Sequence, residues 1–452
     1  MFKAIANTFA NCFKIPELKS RIVFTLAVLA ICRLISMVPI PGLHGSLLSD
    51  YFDNVAKKGG GGLLGMYSMF TGGAMERCAV GSLGIMPYIS ATIILQLLSA
   101  VIPQLSKLAR EEGGRAKIIQ YARYLTVLLC LGQGFFMALG WENPSAIFSD
   151  FQGKLVLYEG WWYRIQTVLI LTTGTLLLMW LGEQITERGI GNGVSLVITI
   201  GILARLPQAY VRLRDIRVIK PDFHVFHGIA LVCLLVAVVA GVIAVTQAQR
   251  KVPVQYAQRA VGRKIYQGGT SFMPLRVNYA GVMPVIFAQA ILMFPQKIFL
   301  FLGGKIALFK ELAIYLSEGA FLYLVMYGLM ILFFSYFWVA TQFNEIQIAD
   351  DLKKYGGYIP GVRPGQATSS YLHNAMSRIT LAGAIFLTVI AVIPVVLYRM
   401  MQIPYEVATF FGGTSMLILV GVILDTMRQM ESHLLMRHYD GFLKKGRLRG
   451  RF

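Results

Sequence analysis

Residues 226–246, FHGIALVCLLVAVVAGVIAVT, form an apolar run that contains no Asp, Glu, Lys or Arg. About twenty mostly apolar residues are enough for an α-helix to cross a bilayer. Residues 247–276 follow at once and carry six Lys or Arg and no acidic residue. This alternation of span-length apolar runs and short charged blocks predicts an integral membrane protein.

The same alternation extends along all 452 residues, which are 56% hydrophobic and 14% charged. An ordinary soluble domain carries about 25% charged residues. We therefore expect an all-α membrane protein with ten transmembrane helices in two pseudo-symmetric inverted halves of five, at 1–215 and 216–452. The ten predicted spans lie near residues 22–41, 77–102, 121–141, 164–183, 194–211, 226–246, 278–300, 319–341, 379–398 and 407–427.

Basic residues predict the orientation, because cytoplasmic loops of membrane proteins carry an excess of Lys and Arg. Twenty-six of the 42 Lys and Arg fall in segments on the same side as the two termini, which we therefore place in the cytoplasm. One segment on the opposite side, 205–222, contradicts this rule, and the sequence offers no functional account of it. Its basic residues are Arg205, Arg212, Arg214, Arg217 and Lys220.

Motifs for catalysis or energy conversion are absent from the sequence. There is no HExxH or GxSxG motif, and Gly303-Gly304-Lys305 lacks the remaining residues of a P-loop. We expect no catalytic residue, metal or cofactor, so a partner would supply any energy. The predicted spans contain few ionisable residues, which argues against an ion-driven transporter. Two exceptions are Arg33 and Asp425, whose side chains could simply reach a membrane interface.

Segment 59–73 is a short apolar stretch flanked by glycines. Its apolar core, residues 63–70, is too short to cross a bilayer, and such runs are often re-entrant or interfacial. Glycines at both ends let the backbone bend freely. The composition fits either a loose loop or a small mobile stopper held in a cavity.

Three predicted cytoplasmic segments concentrate positive charge: loops 247–276 and 342–378, and tail 428–452. Ordinary topology bias and contact with anionic lipid would explain this charge. A loop of about thirty residues can also project and bind RNA or an acidic protein surface. In loop 342–378, the Pro-Gly pairs of residues 360–365 are expected to hold Arg363 on a rigid tip.

Several longer motifs, occurring in one order along nearly the whole chain, resemble the SecY family in its bacterial form. They are GEQITERGIGNG (182–193), PIPG (39–42), GIMPYIS (84–90), PVQYA (253–257), PGVRPG (360–365) and GGTS (412–415). The resemblance implies a protein-conducting channel for secretion of unfolded polypeptides and lateral insertion of membrane proteins. Its pore would be an hourglass through one chain.

The resemblance also implies a ring of aliphatic side chains at the waist of the pore. Carried over by motif, the ring comprises Ile85, Ile89, Val194, Ile198, Ile286 and Ile418. β-Branched side chains are stiff, so a ring of them could fit around a passing chain while offering ions no substitute for water. Without the resemblance, such residues in helices would be interpreted as ordinary packing.

Three further sites follow from the resemblance. A plug helix would occupy residues 62–75, with Leu63, Leu64, Met66, Tyr67, Met69 and Phe70 as its apolar residues. A lateral gate toward lipid would be held shut by the polar side chains of Ser90, Gln133 and Asn278. The ribosome or the motor ATPase SecA would dock on Arg259, Arg263, Lys264 and Arg363.

The implied partners are SecE, SecG, SecA, the ribosome with its RNA, anionic lipids, and the secretory and membrane-protein clients. The implied location is the bacterial cytoplasmic membrane, with a plastid thylakoid membrane as the alternative. Two other functions stay open at this point. One is a small-solute secondary transporter, and the other is a membrane insertase, which would not need an outer plug.

Overall fold

A computed structural model provides the structure of the chain. It describes residues 15–57, 68, 71–111, 113–144, 151, 153–208, 210–211, 225–256, 259–261, 264–266, 269–279, 281–303, 307–316, 320–401, 408 and 413–445.

Helices dominate these residues. In chain order they are α1 (Pro16–Ile35), α2 (Gly45–Lys57), α3 (Met86–Val101), α4 (Pro103–Arg110), α5 (Gly114–Glu142), α6 (Trp161–Arg188), α7 (Gly193–Leu203), α8 (Val225–Gln247), α9 (Met283–Gly303), α10 (Ala307–Tyr315), α11 (Phe321–Gln342), α12 (Glu345–Lys354), α13 (Gln366–Met401) and α14 (Thr414–Lys445). The strands are β1 (Gln249–Tyr256), β2 (Arg259–Val261), β3 (Lys264–Tyr266), β4 (Thr270–Arg276) and β5 (Gly357–Tyr358).

The chain forms two compact units. The amino-terminal unit comprises Met1–Phe223, Gln402–Phe410 and Ile418–Phe452, and the carboxy-terminal unit comprises His224–Met401 and Phe411–Leu417. In the amino-terminal unit, α6 packs against α1, α5 and α7. In the carboxy-terminal unit, α11 packs against α9 and α13. The predicted inverted relation between two halves stays a prediction.

Within the described residues, five helices are long and apolar enough to cross a membrane, and two shorter helices are also apolar. Each of the ten predicted spans overlaps one helix, and α2, α4, α10 and α12 are additional. Of the five long helices, α6 is the most buried and α8 the least. The helical class predicted from the apolar runs is therefore confirmed.

The second predicted span differs from the structure at its start. We predicted it from residue 77, whereas α3 begins at Met86 after a series of turns over residues 71–85. Gly72, Gly73 and Gly84 have positive φ angles, which glycine adopts without steric cost. Pro87 lies in the first turn of α3, where its missing N–H leaves no intrahelical bond unmade. Glycine and proline thus delay the helix despite the apolar sequence.

The basic loop 247–276 contains an antiparallel hairpin, which the charge pattern did not predict. Strands β1 and β4 pair from Gln249 with Arg276 to Gln255 with Thr270, and β5 adds to the other edge of β1. Val252 and Leu275 lie on the buried face of this sheet and pack with Leu372 of α13. The hairpin therefore rests on a small hydrophobic core.

Candidate functional site

Two of the predicted ring residues lie at the start of α3. Ile85 is the N-cap residue of this helix, and the N–H of Ile89 donates to the carbonyl oxygen of Ile85 at 3.2 Å. Residues four apart share one face of a helix. Both side chains are buried, with 4% and 6% exposure.

Val194 and Ile198 are likewise four apart, on α7. The side chain of Asn192 caps this helix by accepting a hydrogen bond from the N–H of Ser195 at 3.3 Å. Ile198 is buried and Val194 half-buried. The cap places the first turn of α7 directly after the GIGNG motif, so the aliphatic pair starts where the loop ends.

Glycines in α6 and α7 allow these two helices to approach closely. A Cβ atom at Gly193 would lie 1.8 Å from the carbonyl oxygen of Gly182. A Cβ atom at Gly182 would lie 3.6 Å from Cδ1 of Ile85 and 3.5 Å from the backbone nitrogen of Val194. Gly182 therefore brings Ile85 and the start of α7 to the same point within the amino-terminal unit.

The remaining two ring candidates are buried in different units. Ile418 lies on α14 within the amino-terminal unit, and Ile286 lies on α9 within the carboxy-terminal unit. Five of the six candidates are buried and Val194 is half-buried. The ring itself stays a prediction, because burial alone does not distinguish a pore lining from a packed core.

The six apolar residues predicted for the plug, Leu63, Leu64, Met66, Tyr67, Met69 and Phe70, lie outside the described residues. Within the predicted segment, Ser68 and residues 71–75 are described, and all are buried. The N–H of Gly73 donates to the carbonyl oxygen of Ser68 at 2.8 Å, and Oγ1 of Thr71 donates to the same oxygen at 3.2 Å. These bonds form a compact turn in the interior.

Two arginines hold this turn. The guanidinium of Arg33 on α1 donates from Nη1 and Nη2 to the carbonyl oxygen of Gly72, at 3.1 and 3.2 Å. Nη2 of Arg205, at the end of α7, donates to Oγ of Ser68 and lies 2.6 Å from a carboxylate oxygen of Glu76. Arg33 is thus half-buried and anchored to the backbone of this turn.

Arg205 belongs to the basic segment 205–222, for which the sequence offered no functional account. Its side chain is buried and paired with Glu76. Neither Glu76 nor this pairing was anticipated. Two opposite charges in otherwise apolar stretches could have indicated it, since an isolated buried charge is expensive. The other basic residues of that segment lie outside the described residues.

A cavity of about 20 Å³ lies beside the anchored turn. This volume accommodates about one water molecule. Its lining includes Arg33, Thr71, Ile85, Val197 and Gly201. A predicted ring residue, the turn and its arginine anchor therefore face one small space.

The GIGNG loop is fastened to the first and last helices. The N–H of Ile190 donates to Oγ1 of Thr25 on α1 at 3.1 Å, and the N–H of Gly191 donates to Oε1 of Gln429 on α14 at 2.8 Å. Leu18, Ile190 and Met430 form a buried cluster beside these bonds. The loop is therefore held from two sides within the amino-terminal unit.

Helices α5 and α6 are joined by an ion pair near each end. Arg123 makes two hydrogen bonds to Glu183, at 3.1 and 2.8 Å, and Arg164 binds Glu142 at 2.8 Å.

The three predicted gate residues are all half-buried: Ser90 on α3, Gln133 on α5 and Asn278 before α9. Their role in a gate stays a prediction.

The predicted docking residues lie in the carboxy-terminal unit. Arg259 lies in β2 and Lys264 in β3, but the structure does not describe their side chains. Arg263 lies wholly outside the described residues. Arg363 is exposed, and its carbonyl oxygen accepts a hydrogen bond from Oγ1 of Thr368 at 2.9 Å. Gly361 and Gly365, on either side, have positive φ angles. Arg363 therefore lies on a turn fixed by local bonds.

These features define the class: a predominantly helical, multi-pass membrane protein. A model of the SecY family matches residues 79–427. The chain is 42% identical to the protein translocase subunit SecY of Thermotoga maritima, covering 98% of this chain and 99% of the relative. It is 41% identical to the SecY subunit of Chlamydia trachomatis, with the same two coverages. The chain belongs to the SecY family.

Solved structures share the fold. "The structure of a protein conducting channel" matches with a TM-score of 0.62 at 18% identity, covering 95% of this chain and 94% of the other. A SecY structure that concerns the plug domain and the closed state of the channel matches with a TM-score of 0.60 at 18% identity and the same coverages. Sec61 in the canine ribosome-channel complex matches with a TM-score of 0.57 at 17% identity, again with those coverages.

Family and fold together establish the general function. The chain is a multi-pass membrane protein that acts as a protein-conducting channel. The small-solute transporter considered from the sequence finds no support in any of these relatives. Family membership also makes the chain a protein translocase channel.

Proposed function

We propose that the chain conducts unfolded polypeptides across the bacterial cytoplasmic membrane and releases membrane-protein segments sideways into lipid. Both termini face the cytoplasm in this proposal, as the distribution of Lys and Arg favours. SecA or a translating ribosome supplies the driving force, and SecE and SecG are the small membrane partners. The single observation that carries the proposal is the buried turn at Ser68 and Thr71, which Arg33 and Arg205 hold and which lies on the same small cavity as Ile85.

The physical role of the aliphatic residues is a seal that yields to a passing chain. Stiff, branched side chains close around a polypeptide of any sequence through non-directional contacts. They offer no hydrogen bond to a hydrated ion, and a narrow apolar constriction can exclude water altogether. Such a seal suits clients of varied sequence because it reads no particular side chain.

Residues 62–75 act as the plug in this proposal. Burial of Ser68 and Thr71 and the bonds from Arg33 and Arg205 support a segment held inside the protein rather than a loose loop. The related SecY structure is described as one in which the plug domain "stablizes the closed state of the translocation channel and maintains a membrane seal".

The lateral gate opens when an apolar signal sequence separates helices on the two sides of the pore. Ser90, Gln133 and Asn278 would hold it shut by hydrogen bonds, each of about 0.6 to 2 kcal/mol within a membrane. Contacts of this size are strong enough in combination to keep a gate closed and weak enough to exchange for apolar packing. Half-burial of all three side chains is compatible with this role.

The sheet and the Arg363 turn form the cytoplasmic docking face. Lys251 and Arg276 lie on the exposed face of the sheet and Arg250 is exposed near its end, whereas the face of Val252 and Leu275 packs on α13. A positive, projecting surface favours association with phosphate-rich RNA or an acidic protein. The canine Sec61 relative is described in a ribosome-channel complex, which supports a ribosome as one occupant.

Photocrosslinking from position 89 tests conduction. A photoreactive amino acid replaces Ile89, and a secretory chain is stalled in transit through vesicles that contain SecA and ATP. We expect a crosslink to the client that depends on its signal sequence, because the ring would surround the chain. The matched control is Ile94, which lies on the same helix but is 37% exposed; we expect no such crosslink there.

Equal crosslinking from both positions, or none from position 89 in a protein that is stably expressed, would reject the ring. Crosslinking from position 94 alone would place the client against the exposed face of α3 and not within the ring, which would also reject the proposal.

Charge reversal at Arg363 tests docking. We expect Arg363→Glu to reduce secretion by at least about tenfold, since a loss of about 1.4 kcal/mol in binding corresponds to that factor. Membrane insertion of the variant itself should be normal, because the side chain is exposed and only its backbone is bonded locally. The rate of client protection from protease in SecA-driven vesicles measures the effect.

Lys154→Glu is the control for this variant. Lys154 is also exposed, in the segment between α5 and α6 that the proposal places on the opposite side of the membrane. Equal secretion by the Arg363→Glu variant and the parent would remove Arg363 from the docking face. Equal loss in both variants would indicate a general effect of charge rather than a docking contact.

A further inference from the structure

The Arg205–Glu76 pair joins the end of α7 to the residues that follow the predicted plug. Both residues are only 7% exposed. A basic residue at this depth needs a structural reason, because burial of an unpaired charge is costly. Its ion pair with Glu76 at 2.6 Å supplies one.

Arg205 also contacts the predicted plug directly. The nitrogen Nη2 that faces Glu76 donates to Oγ of Ser68, which is completely buried. Gly73 permits this approach, since a Cβ atom there would lie 3.1 Å from the same nitrogen. One guanidinium therefore binds the segment at Ser68 and again at Glu76.

Arg33 provides an independent attachment through the backbone. Its two hydrogen bonds end on the carbonyl oxygen of Gly72, between the two points that Arg205 holds. A Cβ atom at Gly72 would lie 2.1 Å from Nη1 of Arg33, so glycine is required for this contact. Arg33 on α1 therefore binds the segment at Gly72, and Arg205 at the end of α7 binds it at Ser68 and Glu76.

Removing either partner of the Arg205–Glu76 pair has a predictable effect on whether the segment stays seated. Removing one partner of a buried ion pair leaves the other charge unpaired, which is strongly unfavourable for the buried arrangement. Release of the segment into water would relieve that cost by hydrating the remaining charge. A change at either residue therefore shifts the equilibrium from the seated to the released segment.

We propose that the Arg205–Glu76 ion pair is a latch that positions the plug segment and sets how readily it is released. Arg205 and Glu76 are positioning residues, because they act on the plug rather than on the client. The latch deepens the proposed function, in that the segment it holds is the plug of that channel. A client that displaces the plug must break this pair together with the bonds from Arg33.

Labelling of a cysteine in the segment tests the latch without any client. Met75→Cys places a smaller thiol at a buried position beside Glu76. Cys12 and Cys233 are replaced by Ala, which leaves Cys32, Cys78 and Cys130, all buried. Proteoliposomes are treated with a water-soluble maleimide on both sides, and mass spectrometry follows the labelling of each cysteine.

We expect slow labelling at position 75 in this parent. Glu76→Gln and Arg205→Met should each increase the rate on the order of a hundredfold, the lower bound for breaking a buried ion pair. The exchanged pair Glu76→Arg with Arg205→Glu should return most of the way to the parental rate, because it restores the attraction. Arg77→Met, an exposed neighbour, should leave the rate unchanged.

Labelling of Cys130 distinguishes a latch from a general structural role. Cys130 lies on α5 and is completely buried, so it reacts only if the unit unfolds. Parental rates at position 75 in both single variants would overturn the latch, as would Cys130 labelling that rises in step with position 75. Failure of the exchanged pair to slow the reaction would also overturn it.

The labelling experiment needs neither SecA, nor ATP, nor a secretory chain. Its outcome is therefore separate from that of the crosslinking at position 89. If the pair acts as a latch but position 89 gives no crosslink, the segment is held in a protein whose pore lies elsewhere. If position 89 gives a crosslink but the pair is not a latch, the channel has a plug that other contacts hold.

Discussion

Polar substitution of two ring residues should make the resting channel conduct ions. Ile89→Asn combined with Ile198→Asn introduces amides at positions that are 6% and 3% exposed. Amide groups stabilise water in a constriction that aliphatic side chains would leave dry. We expect ion flux to rise at least about tenfold, since about 1.4 kcal/mol in the free energy of wetting corresponds to that factor.

Flux is measured as dissipation of a potassium gradient across proteoliposomes, without any client or partner. The control is Ile89→Leu with Ile198→Leu, which keeps both positions aliphatic and of equal volume and should leave flux at the parental level. Equal flux through the Asn and Leu variants, with both proteins folded, would show that these residues pack in a core and do not line the pore.

A single methyl group at Gly193 should strongly destabilise the amino-terminal unit. The Cβ atom of Gly193→Ala would overlap the carbonyl oxygen of Gly182 and lie 2.9 Å from Cβ of Ile185. Backbone atoms cannot rotate away, so α6 and α7 would have to separate. We expect a loss of about 3 kcal/mol or more in the free energy of unfolding, the upper end for overpacked sites.

Thermal unfolding in detergent and the amount of protein in the membrane measure this effect. Gly132→Ala, within α5, is the matched control, because a Cβ atom there meets no other atom within 4 Å. That variant should be as stable as the parent or slightly more stable, since alanine favours a helix over glycine. Equal unfolding temperatures for the two variants would contradict the close approach of α6 and α7.

Apolar length was enough to predict the helical spans, because a membrane helix must satisfy its backbone bonds internally and cover them with apolar side chains. The start of α3 could not be predicted in this way. Gly84 and Pro87 act through backbone geometry, to which hydropathy is insensitive. The hairpin of loop 247–276 was missed for a related reason. Its charges dominated the pattern, and only Val252, Val254 and Leu275 point inward.

The candidate site was predictable where a motif carried it and unpredictable where it depended on contacts between distant residues. Ile85 and Val194 follow from their motifs, and both approach Gly182, whereas the ring itself stays a prediction. Glu76 and Arg205 belong to no motif that we recognised, and their pairing exists only in three dimensions. Charge counting could not reveal the pairing of Arg205, because it does not distinguish a paired cation from an exposed one.

The bond from Gly191 to Gln429 has a consequence for biosynthesis. The GIGNG loop emerges from the ribosome long before α14, yet the backbone N–H of Gly191 finds its acceptor only on that last helix. Until α14 is made, the loop is fastened on one side, through Thr25. A nascent or truncated chain that lacks α14 therefore leaves the N–H of Gly191 without this acceptor. Completion of the last helix is therefore the step that closes the fold.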